Sequence, residues 1–230
     1  MKKIIENDIN ISASVSCMDL CHLKKDMEEV EKSGVSFYHF DVVDGKFNRC
    51  FILGEPTLKC MSKETDLPIE VHLAVYEPEK FIENYAKNGA DYIAVHYEAV
   101  KNFNKIFGMI RHYGAEPILA YKSTTPPGED FISLAKEVPW ILKLTVNPGF
   151  SGQKMQTTAV KHIRQMRKML NDADLKTRIQ ADGNVNVSTI PIIVKAGADI
   201  LTGGTSGLFL ENYTVKKCCS KMIEAAKNAM

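Results

Sequence analysis

Gly34-Val35-Ser36-Phe37-Tyr38-His39-Phe40-Asp41-Val42-Val43-Asp44-Gly45 reads as the close of one helix, a strand, and the turn that ends it. Glycine takes the left-handed conformation that stops a helix, and the apolar run from Val35 to Phe40 then carries the chain into a strand. Side chains two residues apart in a strand share a face, so His39 and Asp41 point the same way. An imidazole and a carboxylate that converge in this manner can hold a divalent metal, and the carboxylate can also move a proton. The Asp44-Gly45 step is a turn signal.

The glycine joint recurs along the chain, at Gly89-Ala90-Asp91, Gly114-Ala115-Glu116 and Gly197-Ala198-Asp199. Strands are predicted at Ile9 to Val15, Ser36 to Val42, Pro68 to Ala74, Asp91 to His96, Glu116 to Tyr121, Trp140 to Val146, Arg178 to Ala181 and Asp199 to Thr202. Between them lie helical patterns such as Asp19 to Ser33, with Leu20, Leu23, Met27 and Val30 at helical spacing, and Val160 to Leu170. Alternation of this kind marks a parallel sheet with crossover helices, and about eight strands match a (β/α)8 TIM barrel of the α/β class. The joints alone also fit an open doubly wound sheet. The barrel is favoured because Ser14, His39, Asp41, His72, His96, Asn147 and Asp182 all fall at C-terminal strand ends, which in a barrel ring one mouth.

The 230 residues, 45% hydrophobic, suffice for one substantial core, and residues 1–230 are read as one domain. Lys and Arg number 29 against 28 Asp and Glu. A net charge of +1 gives no broad basic field for nucleic acid or an acidic membrane, so neither is expected as a partner. No run is long and apolar enough to span a bilayer. The opening MKKIIENDIN carries charge where a secretion signal needs its apolar segment, so the chain is read as cytoplasmic. The six cysteines, none in a CxxC pair, are accordingly read as reduced thiols.

His72, in IEVHLAV, would by itself be an ordinary buried histidine. With His39, Asp41 and Asp182 at equivalent strand ends it completes two imidazoles and two carboxylates, a donor set suited to Zn²⁺, Fe²⁺, Mn²⁺ or Co²⁺. Three glycine loops follow the last predicted strands: Asn147-Pro148-Gly149-Phe150-Ser151-Gly152-Gln153, Asp182-Gly183-Asn184, and Gly203-Gly204-Thr205-Ser206-Gly207. Such loops offer backbone N–H groups to a phosphate at the barrel mouth.

Through SASVSCMDL, YHFDVVDGKF, VHLAV, VHYEA, LTVNPGFSGQK, ADGNVN and GGTSGLF, the chain resembles the ribulose-phosphate 3-epimerase family over nearly its full length. The resemblance implies a barrel of the ribulose-phosphate binding type and interconversion of small phosphorylated ketoses epimeric at C3. It implies that His39, Asp41, His72 and Asp182 bind one divalent ion and that Asp41 and Asp182 are the acid/base pair. Ser14, His72, Asn147, Gly149, Phe150, Ser151, Gly152, Gly183, Asn184, Gly204, Thr205 and Ser206 are the expected substrate contacts.

Departures from the family pattern bear on the substrate. Val43, Ala74 and Leu144 stand where the family carries methionine, Ala13 where it has proline, and Lys122-Ser123-Thr124-Thr125-Pro126 where it has NPATP. Lys122 reads as a surface lysine, with reach to a substrate hydroxyl or phosphate as the alternative. CMDL and GTSGLF look like the allulose-6-phosphate 3-epimerase branch. The expected activity is thus conversion of ribulose 5-phosphate to xylulose 5-phosphate, with allulose 6-phosphate to fructose 6-phosphate as the alternative. A non-catalytic sugar-phosphate binder is a further reading. A decarboxylating relative would carry Asp-x-Lys-x-x-Asp, and the corresponding stretch is Asp41-Val42-Val43-Asp44. Apolar positions on the outer helices make a homo-oligomer the expected assembly.

Overall fold

A computed structural model describes residues 1–4, 7–147 and 152–230. Eight parallel strands close on themselves: β1 (Asn10–Ser14), β2 (Phe37–Asp44), β4 (Ile69–Ala74), β5 (Tyr92–His96), β6 (Glu116–Tyr121), β7 (Trp140–Leu144), β8 (Arg178–Asp182) and β9 (Ile200–Gly203). β1 pairs in parallel with both β2 and β9, which seals the ring. The expected TIM barrel is therefore what the chain forms, with predicted and observed strands agreeing to within two residues at each end. A two-residue strand absent from the sequence reading, β3 (Phe51–Ile52), lies antiparallel on β2 and lengthens the rim.

Outside the ring run α1 (Leu23–Glu31), α2 (Glu55–Glu64), α3 (Ile82–Lys87), α4 (Phe103–His112), α5 (Phe131–Ala135), α6 (Thr157–Asp172), α7 (Ile190–Ala196) and α8 (Val215–Lys227). Each long helix buries the stripe its spacing marks: in α6, Val160, Ile163, Met166 and Leu170. The four glycine joints all have positive φ, from 87° to 112°, so each helix closes as its sequence indicates. Leu20 departs from expectation. The helix begins only at Leu23, because the Asp19 carboxylate accepts from the Cys21 backbone N–H and holds a turn there, leaving Leu20 54% exposed at the rim.

Strand alternation sorts the side chains into two layers. Phe40, Val71, Ile93, Leu119, Ile141 and Ile179 face the helices. Phe37, Tyr92, Trp140 and Ile200, at the strand starts, pack the floor of the barrel interior. Above them the interior turns polar: the Glu70 carboxylate accepts from Trp140 Nε1–H at 3.2 Å and from Gln180 Nε2 at 2.9 Å, and Gln180 also reaches Thr202 Oγ1 at 3.0 Å. Ser12 Oγ closes the network on Thr202 at 3.1 Å. One charge sits in the outer layer. Lys143 of β7 is fully buried, and its ammonium donates to the carbonyls of Lys122 at 2.5 Å and Thr125 at 2.6 Å. Burial, opposed by Glu98, pushes its pKa down to about 7.

Candidate active site

Register brings the strand-end residues together. Asp41 lies beside His72 across β2 and β4, His39 beside Ser14 across β2 and β1, and Leu144 beside Asp182 across β7 and β8. His39, Asp41, His72 and Asp182 each offer a donor atom within 4.8 Å of all the others. His39 Nε2 stands 3.0 Å from Asp41 Oδ1 and 3.5 Å from Asp182 Oδ2, and His72 Nδ1 is 3.0 Å from Asp41 Oδ1. Both rings are buried, while the two carboxylates keep 18% and 19% of their side-chain surface open to the mouth. Burial opposes charge on His39, but Asp41, Glu70 and Asp182 outweigh it and raise its pKa well above that of a free imidazole. Burial likewise opposes charge on Asp41, and His39 and His72 outweigh it, drawing the acid well below the carboxylate range.

The donor set fits a divalent cation on grounds of tautomer as well as type. Glu70 Oε2 lies 2.7 Å from His39 Nδ1, and a carboxylate only accepts, so Nδ1 carries the hydrogen. The unprotonated nitrogen of neutral His39 is then Nε2, aimed at Asp41 and Asp182. Those carboxylates favour a second proton on Nε2 when no ion is present, and a divalent ion that displaces it meets Nε2 and both carboxylate oxygens together. Buried carboxylates that orient a ligating imidazole through its far nitrogen are the usual support of such centres.

A cavity of about 400 Å³ opens over this cluster. Ser14, Asp41, His72, Asn147, Gly152, Asp182, Gly183, Asn184, Gly204, Thr205 and Ser206 line it, so these expected contacts are gathered at one mouth. His39 lies behind the wall. Gly149, Phe150 and Ser151, also expected there, fall outside the described residues. Val43, Ala74 and Leu144 line the same space and keep it apolar where the family's methionines would stand. Lys122 is not among the described residues that line the cavity; its ammonium sits 3.9 Å from the centre of the Phe47 ring, a cation–π contact.

Several participants escaped the sequence reading. Ser16 Oγ donates to Asp41 Oδ2 at 3.1 Å, beside Ser14 Oγ at 3.3 Å, so two hydroxyls fix one oxygen of that carboxylate. Cys17 also lines the mouth, its thiol pKa raised by burial. His96, which the sequence reading did place at a strand end, is fully buried behind His72, with Nε2 2.8 Å from His72 Nε2 and Nδ1 3.0 Å from Glu98 Oε2. Burial, against the pull of Glu98, pushes His96 down to about 4. Burial favours neutral Glu98, but hydrogen bonds from His96, Thr125 and the Lys122 amide outweigh it and draw it down to about 2. Period-two spacing was the available signal for Glu70, which precedes His72 by two residues on β4; Glu98 sits in the 3-10 turn Tyr97–Ala99 that follows β5, where that spacing gives no signal.

Comparison with known proteins agrees with this geometry. Residues 10–209 match the model of the "Ribulose-phosphate 3 epimerase family". The ribulose-phosphate 3-epimerase of Methanocaldococcus jannaschii is 38% identical over 223 residues, 96% of this chain and 93% of that protein. The Bacillus subtilis protein of the same name is 32% identical over 199 residues, 86% of this chain and 91% of that one. Among solved structures, 3-hexulose-6-phosphate synthase of Salmonella typhimurium superposes with a TM-score of 0.67 at 14% identity, covering 96% of this chain and all of that one, a likeness of fold alone. The named sequence relatives carry the ribulose name, so the match extends to the family and not to its allulose branch. By model match, by identity over nearly its whole length and by the histidine–aspartate cluster at its mouth, the chain belongs to the ribulose-phosphate 3-epimerase family of isomerases.

Proposed function

We propose that the chain, acting as one domain, interconverts D-ribulose 5-phosphate and D-xylulose 5-phosphate by moving a proton at C3. The observation that carries this reading is the placement of Asp41 and Asp182. They stand on strands separated in the ring by β1 and β9, both reach the cavity, and both approach the same imidazole. Inversion at carbon needs a proton taken from one face and returned to the other, and two carboxylates can exchange the base and acid roles as the reaction reverses. The C3 proton is acidic because the neighbouring carbonyl takes up the charge, giving an enediolate. A divalent ion held by His39, Asp41, His72 and Asp182, with Mn²⁺, Fe²⁺, Co²⁺ and Zn²⁺ as the candidates, supplies Lewis-acid stabilisation of that charge when bound.

Ser14 and Ser16 orient Asp41 for the transfer by holding its second oxygen. Gly183, Asn184, Gly204, Thr205 and Ser206 line the other side of the mouth and offer the phosphate its grip, with binding energy at that end orienting the reacting carbon. Val43, Ala74 and Leu144 exclude water. Val43 and Ala74 are smaller than methionine and favour a second reading, the hexulose pair allulose 6-phosphate and fructose 6-phosphate, on the same chemistry. Val187 and Ile192, about half exposed near α7, support pairing of copies through the outer surface, which light scattering after size exclusion checks.

The test is turnover of each ketose phosphate in deuterated water with each metal in turn. Deuterium is expected at C3 of both epimers, faster with the pentulose. No label in either sugar would overturn the epimerase reading; faster labelling of the hexulose would replace the substrate.

A further inference from the structure

We propose that His96 and Glu98 are positioning residues that hold His72 in the tautomer whose Nδ1 lone pair faces Asp41, and so prepare the site to receive its cation. The inference rests on the reading that His39, Asp41, His72 and Asp182 take up a divalent ion. It concerns groups one and two steps behind that cluster.

The hydrogens can be followed from the outside inward. Glu98 Oε1 accepts the Lys122 backbone N–H at 2.8 Å. Its other oxygen, Oε2, lies 3.0 Å from His96 Nδ1. A carboxylate has no hydrogen to give, so His96 Nδ1 is the donor. A neutral imidazole has one N–H, which leaves His96 Nε2 as an acceptor. It sits 2.8 Å from His72 Nε2, and two lone pairs at that distance would repel, so His72 Nε2 carries the hydrogen. Nδ1 of neutral His72 is then the bare nitrogen, and it and Asp41 Oδ1, 3.0 Å apart, are two acceptors that a cation between them satisfies. The opposite tautomer would place N–H on Nδ1, bond it to Asp41, and close that corner of the site.

The surroundings leave the dyad little freedom. His96 is fully buried, with the Phe47 ring centre 4.6 Å from its own and the His72 ring 5.0 Å away. Glu98 is tied to the β6–α5 connection through the amide of Lys122, and the carbonyl of that same residue is held by the Lys143 ammonium. His39 has its own carboxylate in Glu70; the paired support for His72 comes through a second imidazole.

Glu98→Gln separates orientation from packing, because it keeps the shape and reverses the hydrogen bonding. The glutamine oxygen is taken by the Lys122 amide, which leaves its NH₂ facing His96 Nδ1. His96 must then accept there and donate from Nε2, and His72 must carry its hydrogen on Nδ1. ¹⁵N-histidine NMR of the metal-free protein reads both tautomers directly, and Co²⁺ titration reads affinity. In the wild type, His72 is expected with hydrogen on Nε2. E98Q is expected to show it on Nδ1 and to bind Co²⁺ about 10- to 100-fold more weakly, with wild-type circular dichroism and with turnover recovering at saturating Co²⁺. His96→Phe, which removes the acceptor and keeps a ring, is expected to give the same weakening and serves where E98Q does not fold. If the wild type binds Co²⁺ and the variants leave tautomer and affinity unchanged, the positioning role is overturned while the cation reading stands. If the wild type takes up no Co²⁺, the cation reading falls and takes with it the purpose assigned to the dyad.

Discussion

Asp41 divides its two oxygens between different partners, Oδ1 toward the imidazoles of His39 and His72 and Oδ2 toward the hydroxyls of Ser14 and Ser16. Asp182 has, among the described residues, one such neighbour within 4 Å, His39 at 3.5 Å. On the proposed mechanism, replacing either acid by asparagine removes a proton carrier without changing shape. Asp41→Asn and Asp182→Asn are each expected to lower turnover at least about 100-fold, with unchanged circular dichroism, measured at saturating metal. Ser16→Ala is milder: loss of one of two hydroxyl donors is expected to lower turnover a few-fold and leave the metal bound. Lys143 makes a separate prediction about stability. Its folded pKa, about 7, lies below the ordinary lysine value near 10.4, so the unfolded chain binds more protons between those limits and stability rises with pH there. The contribution is complete above the unfolded value and is lost as pH falls through about 7. Urea denaturation at pH 7 and pH 9 is expected to show the wild type gaining about 2 kcal/mol relative to Lys143→Met, from about 1.4 kcal/mol per pKa unit.

The β8–α7 connection shows how a loop is fixed by its neighbours. Gly183 has φ of 113°, and a Cβ there would run into the Val146 side chain, so the strand must end on glycine if β7 and β8 are to stay packed. Gly183→Ala is expected to destabilise the fold by about 1–3 kcal/mol and to raise KM more than it lowers kcat, as thermal melts and steady-state rates would show. Elements of this kind were legible in the sequence to different depths. Strand positions and the metal-ligand candidates could be read because period-two spacing and strand ends are local properties, and His39, Asp41, His72 and Asp182 obey both. The same rule reaches Glu70 and Gln180, which were passed over because a charged or amide residue inside a strand looks solvated until the ring closes around it; Glu98 lies in the turn after β5, beyond the reach of that rule. β3 is too short to have a period. Leu20 was misread because a side-chain turn at Asp19, not the hydrophobic spacing, decides where α1 begins. Lys143 interrupts an apolar run and gives no hint that two carbonyls of a distant loop receive it.

At the scale of the molecule, the barrel interior couples stability to the ion proposed for its mouth. The polar layer of His39, Glu70, Gln180, Thr202 and Ser12 is linked from floor to mouth, so charge added at the top is felt through the middle of the sheet. A cation at 100 times its dissociation constant contributes about 2.7 kcal/mol, or roughly 5–10 °C in melting temperature for a chain of this size. Protein stripped with a chelator is expected to melt lower by that interval and to recover when Mn²⁺ or Co²⁺ is returned, followed by calorimetry. The other end of the cavity behaves differently. Among the described residues that line it there is no Lys or Arg, so on the proposed function a phosphate dianion there is offered neutral dipoles from glycine, serine, threonine and asparagine. Dipoles fall off too steeply to steer a ligand through the bulk, and mobile ions have little long-range attraction to shield. Encounter with substrate should then proceed at nearly the same pace in dilute and concentrated potassium chloride, a tolerance that an enzyme relying on a lysine or arginine clamp gives up.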